Sequence, residues 1–169
     1  MTNISNNMGE CLCPVGQFFN AAANACQACN ARCKNCSGSA TFCTECKDAS
    51  PVSSLNTATG TCSCTDTAKA LNASTGFCES CHATCLTCSL PGSITSCSSC
   101  VGQATVISSA CVCSQLQKYM DRTTGQCTAC PNNRCKTCNY NASNQVVCTS
   151  CQLNAALASS VDCACNTGF

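Results

Sequence analysis

CQACNARCKNCSGSATFCTEC, residues 26–46, places six cysteines in three C-x-x-C pairs, and the chain writes the same phrase twice more. The second copy is CESCHATCLTCSLPGSITSCSSC (78–100) and the third is CTACPNNRCKTCNYNASNQVVCTSC (127–151). A C-x-C separates the copies: Cys11/Cys13, Cys62/Cys64, Cys111/Cys113 and Cys163/Cys165. Self-similarity at a spacing of about 50 residues is the signature of a repeat array, in which each unit packs on its neighbours. The expected layout is a polar, flexible segment 1–10, repeats over 11–61, 62–110 and 111–162, and the start of a fourth repeat at 163–169.

Outside the cysteines the chain has little to pack. Leu, Ile, Val and Phe together number 24 of 169 residues, and there is no Trp. So little bulky apolar surface does not offset the entropy of ordering the backbone. The 26 cysteines must therefore hold the fold, as disulfides or as metal ligands. C-x-x-C is zinc-knuckle spacing as well, so an intracellular zinc array is a rival reading. Three observations favour disulfides. Twenty-six is not a multiple of four, and the single histidine, His82, gives no Cys/His ligand variation between copies. Zinc modules that grip nucleic acid present a basic face, whereas eight Lys and Arg here face seven Asp and Glu; no nucleic-acid partner is expected. Four asparagine sequons belong to the secretory route. The expected location is extracellular, secreted or at the cell surface, with no cofactor.

No run approaches the ~18–20 apolar residues that span a bilayer. The opening MTNISNNMGE also lacks the apolar core of a signal peptide. Together with the broken-off repeat at 163–169, this leads us to expect a longer natural protein.

Each repeat carries a second recurring phrase after its C-x-C: FFNAAANAC (18–26), ALNASTGFC (70–78) and YMDRTTGQC (119–127), with SLNTATGTC (54–62) later in the first repeat. An Asn or Asp stands six residues before the cysteine, and Gly or Asn two before it. Those residues favour turns and positive φ, so each phrase reads as a β-hairpin or tight loop. Each repeat then holds two hairpin-like segments around its six-cysteine block. The fold class expected is small and disulfide-rich: an elongated rod of tandem repeats made of short hairpins and loops, with little helix. Isolated apolar residues such as Phe42, Leu86, Leu116 and Val147 are expected to cover neighbouring disulfides.

The stretch CPVGQFFNAAANACQACNARCKNCSGSATFCTECK (13–47) resembles the furin-like, growth-factor-receptor-type cysteine-rich repeat. It is similar to the form found in R-spondins and in large surface proteins of ciliates and other protists. The resemblance spans 11–165 and rests on about eight cysteines per repeat. Spacing by itself leaves 105 ways to pair eight cysteines; the resemblance implies one. It implies Cys13–Cys26, Cys29–Cys36, Cys33–Cys43 and Cys46–Cys62 in the first repeat. In the second it implies Cys64–Cys78, Cys81–Cys88, Cys85–Cys97 and Cys100–Cys111. In the third it implies Cys113–Cys127, Cys130–Cys138, Cys135–Cys148 and Cys151–Cys163. Cys11 and Cys165 remain, to pair with neighbouring repeats of a longer chain or to join successive molecules head to tail. The chain departs from the family in its tight C-x-C junctions. Only the first repeat keeps Pro-x-Gly after that junction, where Thr65-Asp66-Thr67 and Ser114-Gln115-Leu116 stand in the others.

Candidate sites are few. Acid–base and nucleophilic catalysis draw on histidine or paired carboxylates; His82 is alone and the carboxylates are scattered, so no enzyme is expected. Thioredoxin-like chemistry sets one C-x-x-C on a βαβ scaffold, which this pattern lacks. The sequons are Asn3-Ile4-Ser5, Asn35-Cys36-Ser37, Asn72-Ala73-Ser74 and Asn141-Ala142-Ser143. Asn72, Asn141 and Asn3 are the expected N-glycan acceptors, whereas Asn35 is disfavoured by the commitment of Cys36. The 40 Ser and Thr leave room for O-linked glycans. Arg32/Lys34 and Arg134/Lys136 stand at matching places as solvated charges or as a patch for an acidic ligand.

The functional expectation is an extracellular structural protein, a coat, matrix or filament component that associates with itself or with neighbouring repeats. The alternative is a ligand-binding or adhesion ectodomain, which would betray itself by one repeat departing from the others with exposed aromatics. Phe18/Phe19 and Tyr119/Met120 are its candidates.

Overall fold

A computed structural model of the protein describes residues 4–5, 11–153, 155–159 and 162–165. The fold is a small disulfide-rich chain of short antiparallel β-hairpins, with no helix among the described residues. It forms two compact units, one of Met1–Cys81 with Cys88–Gly92 and the other of His82–Thr87 with Ser93–Phe169.

The hairpins follow the cysteines. β1 (Ile4–Ser5) pairs with β2 (Cys11–Leu12), so residues 4 and 5 of the polar N-terminal segment lie in a strand. In the first repeat β3 (Gln17–Asn20) pairs with β4 (Ala25–Ala28), β5 (Cys33–Cys36) with β6 (Cys43–Cys46), and β7 (Ser53–Asn56) with β8 (Thr61–Cys64). The second repeat has β9 (Lys69–Leu71) on β10 (Cys78–Ser80), β11 (Cys85–Cys88) on β12 (Cys97–Cys100), and β13 (Ala104–Ile107) on β14 (Ala110–Cys113). The third has β15 (Lys118–Met120) on β16 (Cys127–Ala129), β17 (Cys135–Tyr140) on β18 (Val146–Cys151), and β19 (Ala155–Ser159) on β20 (Asp162–Cys165). The cysteine block is thus itself a hairpin, a third one per repeat that the C-x-x-C spacing did not announce.

The recurring Asn/Asp–Gly phrase has a single physical meaning at all four places. The side-chain oxygen of Asn20, Asn56, Asn72 or Asp121 accepts the backbone N–H groups two and three residues on, at 2.8–3.3 Å. This fixes the turn locally. The residue that closes it has positive φ: Asn24 (47°), Gly60 (65°), Gly76 (78°) and Gly125 (70°). The register is then the same in the three leading hairpins, Phe19, Leu71 and Met120 standing opposite Cys26, Cys78 and Cys127.

Two of these tips are also docking points. A Cβ on Gly76 would lie 1.9 Å from the carbonyl oxygen of Ala31, and one on Gly125 would lie 2.1 Å from that of Ala83. Each hairpin tip therefore presses backbone to backbone on the turn that opens the preceding cysteine block, an approach only glycine permits.

Cystine forms the core. Twelve of the fifteen buried apolar residues among those described are cysteines; the others are Phe18, Ala70 and Val147. Phe18 packs with Cys33, Cys36, Cys43, Cys46 and Cys62, while Cys135, Cys148 and Cys163 form the corresponding cluster of the second unit. The expectation that isolated apolar side chains cover the bridges needs correction. Val147 is buried, but Phe42, Leu86 and Leu116 keep 38%, 52% and 64% of their surface exposed. A two-stranded ribbon has too little area to bury both faces, and the cystines already occupy the inner one. Phe42 lies instead against the tip glycine Gly60.

Candidate functional site

The structure brings 24 of the 26 cysteines together in twelve bridges. The first repeat contains Cys13–Cys26, Cys29–Cys36, Cys33–Cys43 and Cys46–Cys62. The second contains Cys64–Cys78, Cys81–Cys88, Cys85–Cys97 and Cys100–Cys111. The third contains Cys113–Cys127, Cys130–Cys138, Cys135–Cys148 and Cys151–Cys163. Their Cα–Cα distances, 5.0–5.9 Å, lie in the ordinary disulfide range. At roughly 2–4 kcal/mol each, such closures stabilise a chain that has almost no hydrocarbon core. The sulfurs of Cys135, Cys148 and Cys163 lie within 4.8 Å of one another, but the bridges Cys135–Cys148 and Cys151–Cys163 use them. The backbones of Cys11 and Cys165 lie in β2 and β20; the side chains on which their pairing turns lie outside the described residues.

His82 has a local duty. Its Nδ1 accepts the Thr84 N–H at 3.3 Å and lies 3.0 Å from the Thr84 hydroxyl. Asn30 and Asn132 hold the same turn in the other repeats, accepting the N–H groups of Arg32 and Arg134 at 3.2 and 2.8 Å. The ring is an asparagine substitute at the entrance to the block. Thr84, fully buried, takes the place of those arginines beneath Gly125.

The matching basic pairs differ. In the first repeat Lys34 forms an ion pair with Glu45 at 2.6 Å, and the Asn35 amide donates to the same carboxylate at 2.8 Å. The Lys34 bond holds the Glu45 carboxyl below its usual range, although both side chains remain about half exposed. Arg134 and Lys136 have no carboxylate partner among the described residues.

The sequons also separate. Asn3 lies outside the described residues. Asn35 spends its amide nitrogen on Glu45 and accepts the Gly16 N–H at 3.2 Å. The Asn72 amide nitrogen donates to Glu79 at 2.9 Å. Asn141 accepts the N–H groups of Ser143 and Gln145 at 3.0 and 2.9 Å. Its amide nitrogen has no partner among the described residues, and of the three sequon asparagines described it is the one whose amide nitrogen is unengaged.

Aromatic side chains converge in one place only among the described residues. Phe18 is buried against cystine, but Tyr119 meets Tyr140 edge to face, with ring centres 5.6 Å apart. The Arg122 guanidinium lies 4.3 Å above the Tyr140 ring and donates to Asn144 at 2.9 Å. Burial pushes the Tyr119 hydroxyl up from its ordinary value, with smaller contributions from Tyr140 and Asp121. Tyr119 was visible as a candidate in the sequence; Tyr140 and Arg122 were not. The available signal was the spacing from Cys138 to Cys148, longer than that from Cys36 to Cys43, which gives β17 and β18 six residues where β5 and β6 have four.

Disulfide content of this density is typical of extracellular and secreted proteins. Among the described residues no helix is long and apolar enough to cross a membrane. Comparison of the chain with family models, with curated proteins and with solved structures found no match.

Proposed function

We propose that this chain is an extracellular structural repeat segment, a component of a coat, matrix or filament, whose repeats are of the furin-like class and carry N-linked glycans. The observation that supports it is the repetition of one mechanical joint. In each unit a hairpin-tip glycine seats on the turn of the preceding block, Gly76 on Ala31 and Gly125 on Ala83. The cystines on either side lock that joint. A protein whose sequence is spent on reproducing a joint transmits position and load, and it needs no catalytic group. The same reading makes Cys11 and Cys165 links to neighbouring repeats or to further copies.

The test is the intact mass of native material before and after reduction and thiol alkylation, with zinc analysis in parallel. The expected result is no alkylation of the twelve bridged pairs before reduction, no zinc, and hexose-type mass that peptide mapping places on a sequon. Many free thiols with about one zinc per four cysteines would overturn it in favour of an intracellular metal array.

A further inference from the structure

We propose that the third repeat carries a binding site for one acidic saccharide unit, packed in the cleft against the edge-to-face pair Tyr119 and Tyr140 with its anionic group met by Lys118 and Arg122. The inference goes beyond the structural reading and does not depend on it.

The cleft has a volume of about 200 Å³ and lies over the cystine floor of Cys111, Cys113 and Cys138, with Tyr119, Met120 and Tyr140 along it and Lys118 and Arg122 at its rim. It is smaller than the roughly 300–1,000 Å³ of a drug-sized site, so it takes one ring. Both tyrosines of a chain without tryptophan are in it. Tyrosine and arginine are the residues that recognition sites collect. The other repeats lack this arrangement, with buried Phe18 and Ala70 at the place of Tyr119 and with Gly38 and Leu90 at the place of Tyr140.

Charge narrows the ligand. Neither Lys118 nor Arg122 has a carboxylate partner among the described residues, where the ion pair is Lys34–Glu45. Asp121, between them in sequence, turns its carboxylate onto the N–H groups of Thr123 and Thr124. Asp121 stays ionised and its charge reaches Tyr119, so two cations against this one carboxylate leave the rim a net positive charge, which favours an anion. The Tyr119 hydroxyl has no hydrogen-bond partner among the described residues and, as a phenol, carries a proton to donate. Aromatic faces, a free hydroxyl donor and two cations over a shallow floor suit a pyranose. Its C–H face packs on the ring, its hydroxyls take the donor, and its carboxylate or sulfate takes the cations.

Tyrosine fluorescence reports on this site alone, because the chain's two tyrosines are both in it. The experiment titrates the disulfide-intact full chain with a sulfated, uronate-containing disaccharide, with neutral chitobiose and with an acidic hexapeptide. We expect saturable change with the acidic disaccharide only, weakened by salt. Arg122→Gln should weaken it by about tenfold or more, as loss of a charge-assisted hydrogen bond requires. Lys34→Gln, which removes an equal charge in the first repeat, should leave it unchanged. Equal binding of chitobiose, tighter binding of the peptide, equal weakening by Lys34→Gln, or no saturation with the acidic disaccharide would each overturn the proposal.

Discussion

The hairpins β5–β6 and β17–β18 stand on the same cysteine frame and spend the space between the cysteines differently. In the first, Lys34, Asn35 and Glu45 form an exposed charged cluster across the strands. In the second, Lys136 stands at the place of Lys34, but hydroxyls replace Asn35 and Glu45, with Thr137 bonded to Thr149 at 2.7 Å and to Ser150. There the hairpin also runs on past the frame to Tyr140. Both are locked by the equivalent bridges Cys33–Cys43 and Cys135–Cys148. The lesson is a division of labour. Frame positions, meaning cysteines, turn-closing glycines and turn-holding asparagines, fix the backbone. Face positions between them are free to carry charge, hydroxyls or a site.

The sharpest way to break the frame is at a docked tip. Gly76 and Gly92 both have positive φ, so alanine is strained at either, at about 1–3 kcal/mol for the conformation alone. They differ in surroundings. A Cβ on Gly92 meets open space, whereas one on Gly76 meets the Ala31 carbonyl at 1.9 Å. Gly76→Ala should therefore lower the thermal unfolding midpoint clearly more than Gly92→Ala, because backbone must move to admit the methyl. Equal losses in the two variants would mean that the tip contact contributes nothing.

That contrast also marks what the sequence made legible. The hairpins opening each repeat were readable because their turn chemistry is local: an asparagine that bonds the next turn and a glycine that closes it lie within six residues. The docking of Gly76 on Ala31 joins residues 45 apart, and no short-range pattern encodes it. Likewise the longer Cys138–Cys148 spacing signals that β17 runs on beyond Cys138, but the meeting of Tyr119, Arg122 and Tyr140 joins two hairpins and no local pattern encodes it. The block hairpins escaped notice because C-x-x-C gives cysteines three apart, a period that hides the alternation of a strand. A bulge in the register of β5–β6 and β17–β18 is what accommodates it.

A gentler probe is the turn that holds each block. If His82 is an asparagine substitute, His82→Asn should restore the arrangement of Asn30 and Asn132 and stay within about 0.5 kcal/mol of the parent in denaturant unfolding. His82→Ala removes the acceptor from the Thr84 N–H and should cost about 1 kcal/mol. A large loss in the asparagine variant would show that the ring packs for a reason other than this bond.

The smallest effect belongs to the charged face of the first block. The Lys34 hydrogen bond holds the Glu45 carboxyl below its ordinary value near 4.5, against an opposing cost of desolvation, with the Lys34 charge and Asn35 adding lesser contributions. A carboxyl whose folded pKa is depressed stabilises the fold above its unfolded value and loses that contribution as pH falls through the folded one. The second hairpin, with Ser150 at the place of Glu45, has no carboxylate there to titrate. Lys34→Met should accordingly flatten part of the decline in unfolding midpoint on the acid side of pH 4.5 and leave the midpoint at neutral pH almost unmoved, since an exposed pair is screened. Some slope must remain, because Asp121 in the second unit is also held low, chiefly by its bond from the Thr123 N–H, and Asp121→Asn should remove that part independently. An acid slope unchanged by Lys34→Met would place the acid sensitivity in the turns of the frame and leave the charged face of β5–β6 without a share in stability.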